Sequence, residues 1–67
     1  MDPRQLLIEI DQCISNIELD RARRGLAAYQ LWRQRGGFEP SGDWYRPNWT
    51  GDAVARDLDR RIIDASR

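Results

Sequence analysis

Eleven arginines and eleven carboxylates supply most of the ionisable chemistry of this 67-residue chain, which has no histidine, no lysine and a single cysteine, Cys13. Without histidine or lysine there is no Ser-His-Asp or Cys-His pair and no Schiff base, and zinc finds no Cys/His ligand set. Gly36-Gly37 stands alone, with neither a GxGxxG nor a GxxxxGK pattern around it to cradle a phosphate. Carboxylates are what remains for catalysis. Asp57 with Asp59, or Asp52 with Asp57, are the pairs that acid/base chemistry or a magnesium ion would need. Such pairs act when they converge in a sheltered pocket that shifts their pKa values, and a domain of this size has little volume for one. The inventory points to a non-enzymatic protein: no catalytic residue, metal site, cofactor or small-molecule substrate is expected.

Binding chemistry is better supplied. The formal net charge is zero, yet residues 1–20 carry five acids and one arginine (net −4), residues 21–37 carry five arginines and no acid (net +5), and residues 38–67 carry six acids and five arginines (net −1). On a helix Arg21, Arg24, Ala28, Leu31 and Arg35 fall along one ridge, with Arg23 and Gln34 beside it. Leu31 is thus an apolar residue set among arginines. The planar guanidinium pairs in bidentate fashion with carboxylate or phosphate and stacks on aromatic faces, which is why arginine is enriched at interfaces. Further along, Phe38, Trp44, Tyr45 and Trp49 lie in a segment punctuated by Pro40, Gly42 and Pro47. Aromatics mark that segment as an ordered loop rather than a linker. Folding over the open side of a small bundle is one role for them; supplying hot-spot contacts through Trp44 and Tyr45 is the other.

These residues need elements to position them, and the periodicity is helical throughout. Asp2 can cap, Pro3 suits the first helical position, Gln5 sits at the capping-box position, and Met1 with Leu6 can form a hydrophobic staple. Behind them Leu6, Leu7, Ile10, Cys13, Ile14 and Ile17 recur at three- and four-residue steps, with Ile8 pointing away. At Ser15 a second set of start signals appears, with Glu18 three residues on and Ile14 with Leu19 as a staple. The stripe then changes phase to Leu19, Ala22, Leu26 and Tyr29. Either a turn near residues 14–16 separates two helices, or one long helix runs from Pro3 to about Arg35; the phase change favours the turn. Gly36-Gly37 ends the basic helix, and Arg33 and Arg35 suit the negative end of its dipole. A last helix opens at Thr50 or Asp52 and buries Val54, Ala55, Leu58, Ile62 and Ala65. The acid-before-base pairs Asp52 with Arg56 and Asp57 with Arg61 support its exposed face, and Ile63 points outward.

The expected fold is all-α: a single domain over 1–67, a small three-helix bundle (or kinked helical hairpin) with an aromatic-rich ordered loop. Its helices span about 3–14, 16–35 and 52–65, and the loop about 37–50. Cys13 lies on the apolar stripe and reads as a core residue. There is no apolar run near the ~18 residues of a membrane span and no basic start of a secretion signal, so a cytoplasmic, membrane-free protein is expected. The leading function is a protein-binding module, an adaptor, accessory subunit or small inhibitor, with size as the one warrant for the phage type. It would meet an acidic protein surface through Arg21, Arg24, Leu31, Arg35, Trp44 and Tyr45. The alternative is an RNA- or DNA-binding protein that places Arg21, Arg23, Arg24, Arg33 and Arg35 on phosphates, although a pI near 6.1 is low for such a binder. A third option is a homodimer, since Ile8, Ile63 and Leu31 all expose apolar surface to a second subunit.

Overall fold

A computed structural model describes residues 2–67 of the chain. Three helices, α1 (Pro3–Ser15), α2 (Leu19–Gln34) and α3 (Gly51–Ala65), pack as a small bundle. α1 begins where the local signals place it. The Asp2 carboxylate accepts hydrogen bonds from the backbone N–H groups of Arg4 and Gln5 at 3.1 and 3.3 Å, and Pro3 takes the first helical position. The staple expected between Met1 and Leu6 involves Met1, which lies outside the described residues.

The chain breaks between α1 and α2, as the phase change predicts. The Glu18 N–H donates to the Cys13 carbonyl at 2.8 Å and the Ile17 N–H to the Ile14 carbonyl at 3.0 Å, the paired bonds of a Schellman turn. This geometry needs one left-handed residue, and that residue is Ile17, with φ of 61°. A β-branched side chain there crowds the following carbonyl. Ile17 was expected on the buried stripe; the turn takes it out of helical register and leaves it 78% exposed. Ser15 was expected to cap the second helix. It is instead the last residue of α1, because the turn consumes residues 16–18, and α2 starts behind Glu18 with no side-chain cap bond. The end of α2 repeats the motif with the residue it favours: Gly36, at φ of 88°, follows Arg35, and the Gly37 N–H donates to the Trp32 carbonyl at 2.9 Å.

Between these turns the stripes meet. α1 contributes Leu7, Ile10 and Ile14, α2 contributes Ala22, Leu26 and Tyr29, and α3 contributes Val54, Ala55, Leu58 and Ile62, all buried. Leu6 and Cys13 are half-buried against this core. Besides Ile17, two positions depart from expectation: Ala65, on the α3 stripe, is exposed in the last turn, and Ile8, expected to point outward, is half-buried. α1 packs most extensively on α2. Gly25 lets it, since a Cβ at that position would come within 2.8 Å of Ile10 Cγ1. Thr50 caps α3, its Oγ1 accepting from the Ala53 N–H at 3.2 Å.

The segment between α2 and α3 is ordered, as its aromatics imply. An isolated antiparallel bridge joins Ser41 to Thr50, and the Gly42 N–H donates to the Trp49 carbonyl and the Gly51 N–H to the Pro40 carbonyl, both at 2.8 Å. Trp44, Tyr45 and Trp49 are thereby turned onto the core.

The cost of the left-handed isoleucine is testable. Ile17 buries almost nothing, so Ile17→Gly removes strain without opening a cavity, while the added freedom of glycine in the unfolded chain offsets part of the gain. The variant is expected to be more stable by roughly 0.5–1 kcal/mol, whereas Ile17→Val gains nothing; urea unfolding midpoints measure both.

Candidate functional site

The rotation of α2 decides which arginines face water. With Ala22, Leu26 and Tyr29 buried, residues 24, 28, 31 and 35 lie on the outer side. Leu31 is 45% exposed, and Arg24 and Arg35 are exposed and make no ion pair among the described residues. Arg21 pairs with Glu18 at 3.2 Å and Arg23 with Asp20 at 3.1 Å, each between exposed groups three residues apart. Such pairs contribute about 0–1 kcal/mol, so a partner's carboxylate can displace them readily. Arg23 also donates to the Ser66 hydroxyl, which ties the end of α3 to the start of α2.

Arg33, grouped with the phosphate-binding arginines in the sequence reading, is committed elsewhere. Its Nε and Nη2 donate to the two oxygens of Asp52, both at 2.9 Å, in a fork-to-fork pair, and its Nη1 donates to the Gly37 carbonyl at 2.7 Å. Asp52 also accepts from the hydroxyl of Tyr29 at 2.8 Å, and its own backbone N–H donates to Glu39 at 2.9 Å. The Arg33 guanidinium, then the Tyr29 hydroxyl, hold the Asp52 carboxyl below the usual carboxylate range. Burial, reinforced by the bond to Asp52, pushes the Tyr29 phenol well above its usual range. Asp52 was expected to pair with Arg56 along its own helix; the bidentate partner from α2 wins.

A second clasp forms on α3. The Tyr45 hydroxyl donates to Asp57, and Arg61 reaches past Asp57 to Asp11 of α1 at 2.5 Å while donating to the Tyr45 oxygen at 3.2 Å. The expected Asp57 with Arg61 pair therefore gives way to contacts between elements. Asp52 and Asp57 belong to these two clasps, and among the described residues no three His, Cys, Asp or Glu side chains are gathered where a metal could sit.

Trp44 and Tyr45 were placed on the contact surface by sequence, and the structure puts them half inside. Their rings meet edge-on at 5.4 Å, Trp49 tilts onto Tyr45 at 5.7 Å, and all three pack on the core. A different aromatic pair stands beside the arginine ridge. Trp32 follows Leu31 on α2, its indole N–H donates to the Phe38 carbonyl at 3.1 Å, and its ring meets that of Phe38 edge-on at 5.7 Å. Phe38 itself is 63% exposed. Trp32 escaped the sequence reading although the signal was present: it lies four residues after Ala28, and Gly37 leaves room for its ring, where a Cβ would fall 2.3 Å away.

The outer surface therefore carries Arg24, Leu31 and Arg35 with the Trp32–Phe38 pair at the C-terminal end of α2. No helix of the described residues is long and apolar enough to cross a membrane. Compared with protein-family models, curated proteins and solved structures, the chain matches none.

The Tyr29–Asp52–Arg33 clasp has a signed pH dependence. Because the folded state lowers the Asp52 pKa, its contribution is complete above the unfolded carboxylate pKa and is lost as pH falls through the folded one. Because the folded state raises the Tyr29 pKa, its contribution is complete below the unfolded value of 10.0 and is lost as pH rises past it. Asp52→Asn is expected to flatten the acid limb of stability against pH, and Tyr29→Phe the alkaline limb. Each lowers stability near neutrality by about 1–2 kcal/mol, measured by denaturant unfolding at several pH values.

Proposed function

We propose that this protein is a non-enzymatic binding module, an adaptor, accessory subunit or small inhibitor, that docks the outer face of α2 on an acidic protein surface. The observation that carries the reading is the ridge itself. Arg24 and Arg35 are exposed without an ion pair among the described residues, Leu31 stands between them, and Phe38 sits edge-on to Trp32 beside it. Arginine and large aromatics dominate binding energy where they are desolvated together, and both are present on one helix end. Arg21 extends the basic edge at the other end. Trp44 and Tyr45 contribute through the loop they stiffen and through the parts of their rings that stay outside. The reading places the protein in the cytoplasm, where the lone Cys13 stays reduced. Nucleic acid is the weaker partner because Arg33 is occupied by Asp52, leaving four of the five arginines that reading needs.

Affinity capture from the source cell tests this, with the wild-type chain beside Leu31→Asp and the double variant Arg24→Glu, Arg35→Glu. A protein retained by the wild type is expected to be lost on both variants, whose helicity and melting stay within about 0.5 kcal/mol of wild type because the substituted residues are exposed. Retention should fall mildly with salt. If what is retained is nucleic acid, released steeply as salt rises with a slope near the number of phosphates contacted, the acidic-protein reading fails. If either variant unfolds, the ridge belongs to the core and the surface does not exist.

A further inference from the structure

Two glycines follow Arg35 at the end of α2, a composition that leaves a chain free to wander, yet the residues beyond Gly36 are fixed one after another. The Gly37 carbonyl accepts from Arg33 Nη1 at 2.7 Å, the Phe38 carbonyl accepts from the indole N–H of Trp32 at 3.1 Å, and the Glu39 carboxylate accepts from the Asp52 backbone N–H at 2.9 Å. Held on both sides in this way, the Phe38 ring meets Trp32 edge-on at 5.7 Å and is still 63% exposed. A bare phenyl on a fixed backbone is a contact whose ordering cost has been met before any partner arrives. We infer that Phe38 inserts into an apolar pocket of the acidic partner protein, a pocket sized for one phenyl ring and rimmed by a carboxylate that pairs with Arg35. The inference rests on the acidic-partner reading above and specifies the chemistry of that partner.

Exposure argues for a pocket. A flat surface laid on the edge-on pair would cover part of the Phe38 ring and leave the rest wet, whereas a cavity covers both ring faces, and desolvated pockets are where interface energy concentrates. Charge argues for the rim. Arg35 follows Trp32 by three residues and precedes Phe38 by three, is exposed, and has no ion pair among the described residues. Arg33 is taken by Asp52 and the Gly37 carbonyl, so Arg35 is the nearby guanidinium left for a partner. The acid next to Phe38 does not oppose this. Glu39 is engaged by the Asp52 N–H and lies 3.9 Å from Arg33 Nη2, so its charge is balanced within the chain. A second copy of this chain is a poor receptor. Its larger grooves, about 390 Å³ between α1 and α2 and about 320 Å³ between α2 and α3, are lined more by polar and charged side chains than by apolar ones.

Phe38 is the only phenylalanine, so para-fluorophenylalanine gives the full chain a single fluorine NMR reporter. In the free chain that resonance should show the solvent isotope shift of an exposed ring together with relaxation as slow as that of the helices; a ring as mobile as in an unfolded peptide overturns the inference. Carboxymethyl-β-cyclodextrin, an apolar cavity with a carboxylate rim, should shift the resonance with an affinity at least about threefold above that of uncharged β-cyclodextrin, and Arg35→Gln should remove the difference. A resonance that neither cavity moves, or that both move equally, overturns it too. For the protein retained by affinity capture, Phe38→Ala should weaken binding by about tenfold or more and Phe38→Leu by less, with helicity and melting kept in both because the ring is exposed. The isotope shift should vanish in the complex. If that protein is lost on the Arg24 and Arg35 reversals but held equally by Phe38→Ala, the inserted ring is wrong and the acidic-surface reading stands. If Phe38→Ala releases it and the arginine reversals do not, the acidic-surface reading falls and the carboxylate rim with it. Self-association of the chain that Phe38→Ala abolishes, read by light scattering, would put the pocket on a second copy and overturn the inference as well.

Discussion

The orientation of everything on the outside of this molecule depends on one buried phenol. Tyr29 is 1% exposed, the largest fully buried side chain of the core, and its hydroxyl is held by Asp52 at the start of α3. A helix with a narrow apolar stripe can roll; Ala22 and Leu26 alone offer α2 little to resist it. A tyrosine whose ring must be inside and whose oxygen must reach one carboxylate removes that freedom, because any roll either exposes the ring or leaves the hydroxyl unsatisfied. Once Tyr29 is fixed, Leu31 and Arg35 cannot face the core, and Arg33 falls beside the same carboxylate.

The second consequence is a sorting of the arginines. Eleven guanidiniums against eleven carboxylates suggest wholesale pairing, but the geometry distributes them unevenly. Arg33 and Arg61 are half-buried and join different elements, at Asp52 and Asp11 respectively. Arg21 and Arg23 hold neighbours three residues away on the surface. Arg24 and Arg35 take none of these partners. Tertiary clasps thus use the arginines whose removal from water is compensated by several hydrogen bonds, and the remainder give the surface its polarity. Neutrality of the whole chain conceals a face with a sign.

Legibility in the sequence follows the range of the physics. Asp2, Pro3, Thr50 and Gly36 were readable because a cap or a left-handed glycine is decided within four residues, and the buried stripes because helical period is local too. The break before α2 was readable from the change of phase. Its form was not: a β-branched residue in the left-handed position opposes its own preference and is imposed by the packing of α1 on α2, so Ile17 looked like core and Ser15 like a cap. The ion pairs failed for the converse reason. Spacing of four offered Arg56 to Asp52 and Arg61 to Asp57, yet Asp52 found a partner nineteen residues back and Arg61 one fifty residues back. The candidate surface was half legible: the phase placed Arg24, Leu31 and Arg35 on the outside, while Trp32 was hidden by its neighbour and the Trp44–Tyr45 pair was drawn inward by the closure of its loop.

That inward turn gives the molecule two unlike sides. Tyr45 bonds to Asp57 and Arg61 on α3, and Arg61 carries the link on to α1, so the aromatic loop, α3 and one flank of α1 form a braced side held by hydrogen bonds between elements. On the other side α1 and α2 meet through Gly25 and Ile10 with no polar clasp across them among the described residues, and Leu6 and Cys13 stay half-covered. Only Leu6, Ile10 and Cys13 give the groove between these helices apolar area; Glu9, Gln12, Asn16 and the Glu18–Arg21 pair make the rest of its lining polar. The two sides therefore differ in how they are held rather than in polarity alone: hydrogen bonds between elements brace the loop side, while close apolar approach at Gly25 joins α1 to α2.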